Sequence, residues 1–301
     1  LLLLLVALVC SVGVQTSSTS AHARDVDLDP YAGLGTWVDV YDYVPGFQAD
    51  GGPPSITPAS VDDMAALGVR TLYLQAAQDD ARLTGATAPR PLLGRFLRRA
   101  HAFDIQVIAW YIPKFVDVDA DLRRIKALHR FRSDGEGFDG LALDIEYREG
   151  VPDPVLRNKA LFAITQRARK IVGSDRALGA IVLEPLLLDV VNTNFWPGFP
   201  WKRIAPYYDV WLPMSYWTNR NSDSGLKEGF HYTDENVRLL RMKLGKRNAP
   251  VHVIGGIADT AGAKDYDGFV RAARHRHAIG WSVYDFNTTT SGVWARLRRD
   301  T

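Results

Sequence analysis

Gly137-Phe138-Asp139-Gly140-Leu141-Ala142-Leu143-Asp144-Ile145-Glu146-Tyr147 is the stretch on which the reading of this chain turns. A buried strand alternates faces, so Leu141, Leu143 and Ile145 point one way while Ala142, Asp144 and Glu146 point the other. Two carboxylates therefore end one strand on one face. Their Cα atoms lie ~6.6 Å apart at ~3.3 Å per residue, close enough for the side chains to interact and for one pKa to rise. An acid/base pair is built in this way. An isolated Asp-x-Glu can equally end a strand in a solvated loop, so its weight depends on the surroundings.

Those surroundings repeat. β-branched and aromatic runs predict strands over Thr36–Tyr43, Thr71–Ala76, Gln106–Pro113, Gly140–Tyr147, Leu178–Glu184, Val210–Trp217, Val251–Ile257 and Gly280–Phe286. Amphipathic stretches predict helices over Val61–Leu67, Pro91–Phe103, Ala120–Phe131, Pro154–Val172, Asp234–Leu244, Tyr266–Ala278 and Val293–Arg299. Ser60-Val61-Asp62-Asp63 reads as a capping box, and Gly68, Gly173 and Gly245 read as helix stops. Only Asn192–Pro206 lacks a clear helix. Eight strands alternating with helices imply an α/β protein with a parallel sheet closed as a single (β/α)8 TIM barrel. The rival, an open doubly wound sheet, needs a Gly-rich phosphate turn after the first strand, and Val44-Pro45-Gly46-Phe47 is not one.

The first ten residues, Leu1 to Cys10, are apolar but too few to span a bilayer, and Ala21-His22-Ala23 follows a Ser/Thr-rich stretch. This is the pattern of a secretory signal over residues 1–23, with the barrel over 24–301. The expected product is secreted; a lipid anchor through Cys10 is the alternative. If Cys10 leaves with the leader, no cysteine remains for a disulfide or a thiolate metal site. The 47% apolar content supports a sizeable core, and a net charge of +2 without long basic runs argues against nucleic acid as a partner. His231, His252, His275 and His277 form no metal-binding pattern, so packing or surface roles are expected, with no metal and no cofactor. The chain is expected to act as a monomer without a membrane span.

In a barrel of this type function sits at the C-terminal ends of the strands. Asp144 and Glu146 fall there, as do Tyr41 and Tyr43, Gln75, Glu184, Tyr216, Trp217 and Asp285. Acids and aromatics on one rim suit a sugar, whose apolar faces stack on rings while its hydroxyls bond to carboxylates.

Phe138-Asp139-Gly140-Leu141-Ala142-Leu143-Asp144-Ile145-Glu146 resembles the fourth-strand signature of the family 18 glycoside hydrolases, Asp-Gly-x-Asp-x-Asp-x-Glu, with three of its four acids at Asp139, Asp144 and Glu146. Leu212-Pro213-Met214-Ser215-Tyr216-Trp217 is similar to that family's sixth-strand Met-x-Tyr segment. The resemblance implies Glu146 as general acid, Asp144 as the group orienting the substrate's acetamide for attack on C1, and Tyr216 as a further holder of that acetamide. Ala142 stands where the family has its middle acid, and Tyr284 where an eighth-strand Trp floors the sugar site. Without that middle acid Asp144 is expected to stay ionised over a wider pH range. Asp139, Trp217, Tyr284, Glu184, Asp285, Tyr41 and Gln75 are the expected substrate-binding residues.

The Asp-x-Glu strand end is also similar to that of family 25 lysozymes, as is Val38-Asp39-Val40-Tyr41 to their first strand. Other barrel glycosidases place a nucleophilic Asp after Phe-Asp-Gly, which would make Asp144 the nucleophile with Glu184 as a second acid. The resemblance thus implies a glycosidase acting on a polysaccharide or glycan. A carbohydrate-binding barrel without catalysis is the reading from another class, favoured by Ala142 and Tyr284 and opposed by the presence of Glu146.

Overall fold

The computed structural model describes residues 26–258 and 260–298. The expected leader, with Cys10 and the expected junction at Ala23, lies outside them. Among the described residues eight strands, β1 (Gly33–Val38), β2 (Thr71–Ala77), β3 (Gln106–Tyr111), β4 (Gly140–Ile145), β5 (Leu178–Leu183), β6 (Val210–Ser215), β7 (His252–Gly255) and β8 (Gly280–Val283), pair in parallel in chain order and close through β1 and β8. The single (β/α)8 barrel is the fold. The connecting helices are α1 (Val40–Tyr43), α2 (Ser60–Ala66), α3 (Arg90–His101), α4 (Val118–His129), α5 (Pro154–Val172), α6 (Trp201–Ile204), α7 (Gly229–Leu244), α8 (Ala263–His275) and α9 (Ser291–Leu297). No helix among the described residues is long and apolar enough to cross a membrane.

Local chemistry sets the helix ends. The Asp153 carboxylate accepts from the amides of Val155 and Leu156, Pro154 occupies the first turn where no amide is needed, and Gly173 at φ 86° ends α5. Glu228 caps α7 in the same way, starting it five residues before the expected Asp234. The capping box expected at Ser60 does not form, because the Ser60 hydroxyl accepts from the Thr57 amide outside the helix.

Most strands end one to three residues before the expected boundary, and β1 ends earlier still. Its aromatic run continues to Tyr43, yet the Asp39 carboxylate accepts from the amides of Tyr41 (2.8 Å) and Asp42 (3.3 Å) and starts α1. Gln75 of β2 supports the turn by accepting from the Val40 amide at 3.1 Å. A side-chain cap therefore overrides β-propensity.

The barrel interior is packed. Trp37 stacks on Tyr73 with ring centroids 4.2 Å apart and meets Trp110 edge-on at 5.2 Å. Below them a polar chain is fully satisfied: Trp37 Nε1 donates to the Ser282 hydroxyl (2.8 Å), which lies 2.9 Å from His252 Nε2, and His252 Nδ1 lies 2.8 Å from the Tyr31 carbonyl. A carbonyl only accepts, so Nδ1 carries the proton and Nε2 accepts from Ser282. Burial pushes the His252 pKa down to about 4, keeping the ring neutral. Tyr31 closes the lower end, its hydroxyl accepting from the Leu141 amide (3.1 Å) and donating to the Leu141 carbonyl (2.8 Å).

Candidate active site

A cavity of about 340 Å³ opens at the C-terminal ends of the strands, within the size range of small-ligand sites. Trp37, Ile181, Met214 and Ile254 belong to its apolar lining. Asp144 and Glu146 line it beside Tyr216, Tyr284, Trp110 and Lys114, with Asp39, Tyr41, Gln75, Gln78 and Tyr147 among the rest. Alternation along β4 brings both acids to this face.

Asp144 is buried, and its Oδ2 accepts from Trp110 Nε1 at 2.9 Å. Its Oδ1 is also buried and has no hydrogen-bond partner among the described residues. Burial first, and then the charge of Glu146, push the Asp144 pKa well above the ordinary carboxylate range. Burial, followed by the charge of Glu149, raises that of Glu146. Burial thus works against the expectation that Asp144 stays ionised over a wider range. Ala142 does remove a proton-sharing neighbour, but burial raises the Asp144 pKa all the same, and the nearby charge of Glu146 makes the two carboxyls titrate as an interacting pair.

Lys114, half-buried after β3 with Nζ 3.7 Å over the Tyr147 ring, draws both carboxyl pKa values down. Replacing it by Met removes this opposing charge. The alkaline limb of the kcat/KM profile should then move to higher pH, by ~0.5–1 unit. A limb that stays in place or moves to lower pH would show that Lys114 does not act on the pair.

Tyr216 follows the last residue of β6, and its hydroxyl makes no hydrogen bond within the described protein. Burial and the surrounding acids, Glu146 and Asp144 foremost, hold its pKa well up, so it is a donor at neutral pH. Tyr284 lines the cavity, donating to Asp39 Oδ2 at 2.6 Å with its ring 6.1 Å from Trp110 and perpendicular to it. Tyr41 and Gln75 also reach the cavity, but Tyr41 does so from α1 and Gln75 is engaged with the Val40 amide. Tyr43 is buried against Phe96 instead.

Four expected binding residues lie elsewhere. Asp139 precedes β4 at the opposite end of the barrel, where its Oδ2 accepts from the Val107 amide (2.7 Å) and lies 3.0 Å from His101 Nε2. Hydrogen bonds that its ring donates to the carboxylates of Asp139 and Glu136 push the His101 pKa up to about 9, so Asp139 ties α3 to the strand starts. Trp217 is buried against Tyr266 and Phe269 of α8, because the residue after an inward Tyr216 points outward. Glu184 is off the cavity wall, accepting from the Tyr232 hydroxyl at 2.9 Å with Arg220 at 3.8 Å, and burial pushes its pKa up to about 7. Asp285 follows the inward Tyr284 and turns to Thr288, accepting from its hydroxyl (2.7 Å) and amide (3.0 Å).

Sequence reading missed Trp37, Trp110, Lys114, Asp39, Gln78 and Tyr147 as cavity residues. The alternation that places Asp144 inward also marks Trp37 and Trp110 once the strands are registered. Nothing comparable marks Lys114, which lies in a loop. Among the described residues the carboxylates of Asp39, Asp42 and Asp285 come within 4.8 Å of one another, close enough to hold a cation between them. Burial, then the charges of Asp39 and Asp285, push the Asp42 pKa up to about 7, so protonation offsets their repulsion.

No family model and no curated protein sequence matches the chain. Solved structures do. The C-terminal domain of a putative chitinase from Desulfitobacterium hafniense superposes with a TM-score of 0.64 at 9% identity, over 88% of this chain and 98% of that one. The spore cortex-lytic enzyme SleL of Bacillus megaterium gives 0.61 at 9% identity, over 88% and 73%. A class V chitinase from Pseudomonas fluorescens gives 0.59 at 11% identity, over 88% and 98%. The chain thus shares the barrel fold of chitinase-like proteins, at identities that carry the architecture alone.

Proposed function

We propose that this protein is a secreted glycoside hydrolase acting on a 2-acetamido-sugar polymer, with Glu146 as general acid/base and Asp144 and Tyr216 holding the acetamide. The carrying observation is the unpartnered, buried Oδ1 of Asp144 on the wall of a cavity that also holds Glu146. An orphaned buried acceptor is costly unless a ligand supplies its donor. An acetamide fits: its N–H donates to Asp144 Oδ1, and its carbonyl accepts from the free Tyr216 hydroxyl.

Binding of such a substrate also places the pair's proton. With donors from Trp110 and from the amide, the Asp144 anion is stabilised and the proton moves to Glu146. Glu146 then protonates the leaving glycosidic oxygen while the acetamide oxygen attacks C1. That attack breaks the C1–O bond and forms an oxazolinium ion whose N–H stays hydrogen-bonded to the Asp144 anion, and water opens the ring at C1 as Glu146 takes a proton from that water. The pair with Glu184 as second acid is less well supported, since Glu184 is off the cavity wall and engaged with Tyr232.

Screening of chitin oligosaccharides, peptidoglycan and other amino-sugar oligomers, with Glu146→Gln as control, tests the reading. Turnover lost in the control supports it. Binding without turnover by the unaltered protein replaces it with a carbohydrate-binding barrel. Export with cleavage after Ala23 belongs to the same proposal, and intact mass of the exported protein should place its N-terminus at Arg24. A lipidated Cys10 at the N-terminus would refute it.

A further inference from the structure

Outside the cavity a groove of about 630 Å³ between α4 and α5 concentrates positive charge. Arg123, Lys126 and Arg130 line it from α4 and its C-cap, Arg167 and Lys170 from α5, with Asp119 as the acid among its lining residues. All five cations are exposed. Residues three and four apart share a helical stripe, so each wall carries its own row of positive charge. Arg167 pairs with Asp119 at 2.7 Å and Arg123 with Asp117 at 3.6 Å. Among the described residues Lys126, Arg130 and Lys170 make no ion pair. The chain as a whole carries only +2, so the folded protein concentrates here a charge that its composition does not suggest. The cations of the two walls repel one another, and an anionic ligand laid between them relieves that repulsion.

We infer that this groove docks a single chain of acidic polysaccharide, of the polyuronate type with a carboxylate on successive sugars. Its concave form suits an extended chain better than a flat bilayer. Along α4 the charges are spaced by ~4.5 and ~6 Å at 1.5 Å per residue, comparable with the length of one pyranose unit. Both helices follow strands whose C-terminal ends form the active rim, so their N-termini lie toward that rim. A polyuronate seated in the groove is thus an anchoring chain on the flank of the barrel, distinct from the 2-acetamido-sugar substrate at Glu146. The choice of a polysaccharide over other polyanions rests on the glycosidase reading.

The test measures binding directly, so that it does not depend on turnover. Fluorescently labelled oligogalacturonate is titrated into the full chain carrying Glu146→Gln, at 50 and 200 mM salt, beside neutral chito-oligosaccharide, phosphatidylglycerol vesicles and duplex DNA. Binding of the oligogalacturonate should weaken by about tenfold over that salt range. Adding Lys126→Gln, Arg130→Gln and Lys170→Gln together should cost about tenfold or more at 50 mM salt, with the circular dichroism melt unchanged. On the active background these three changes should leave turnover of short neutral substrates as it was. Oligogalacturonate binding that is absent, or indifferent to the three changes, overturns the proposal. So does tighter groove-dependent binding of vesicles or DNA. Groove-dependent binding by a protein that hydrolyses nothing would remove the glycosidase reading while leaving the docking site in place.

Discussion

Glu146→Gln should lower kcat on an identified glycan by ~10²–10⁴-fold while leaving substrate affinity and folding nearly intact, because the exchange keeps shape and removes only the transferable proton. Glu146 lines the cavity half-buried, and its raised pKa lets it hold a proton at a pH where an ordinary glutamate has lost it. Gln retains the hydrogen-bonding outline, so KM should change little. An unchanged kcat would remove Glu146 from the mechanism. A proportional loss of kcat and of thermal stability would instead mark it as structural.

Asp144→Asn should have two effects of opposite benefit. Hydrolysis should fall by ~10²-fold or more, since on the proposed mechanism the anion that orients the acetamide and supports the developing charge is gone. Inhibition by a thiazoline analogue of the oxazolinium ion should weaken by about tenfold for the lost charge-assisted hydrogen bond. Stability at neutral pH should rise. The folded-state pKa of Asp144 lies above its unfolded value, so the folded protein binds more protons than the unfolded chain between those values, and stability falls as pH rises through that window. Asn does not titrate and can still accept from Trp110. The gain should be on the order of 1 kcal/mol at pH 7, a rise of ~2–4 °C in melting temperature, and it should vanish below about pH 4, where the free carboxyl is protonated in both states. A variant less stable at pH 7 would show that the carboxylate is better satisfied than its orphaned oxygen implies. Efficient cleavage of substrates without a 2-acetamido group, insensitive to the thiazoline, would move the mechanism to two enzyme carboxylates.

The sequence by itself determined the barrel, its eight strands and the acid pair at the end of β4. Strand alternation and helical periodicity are local properties, and Pro154–Val172 carries its own cap, proline and terminating glycine. Tertiary structure decided which rim residues converge. Asp139 stands five residues before Asp144 in the chain but at the other end of the barrel, and Trp217 turns to the helices because its neighbour Tyr216 turns inward. Trp110 and Lys114 join the acid pair only because β3 and its loop lie beside β4. The upward shift of the Asp144 pKa is likewise a matter of burial, which no spacing of residues expresses. The cationic groove combines residues from two helices some forty positions apart, and such a charge row has no counterpart along the chain because side chains meet across space, whereas periodicity records only neighbours.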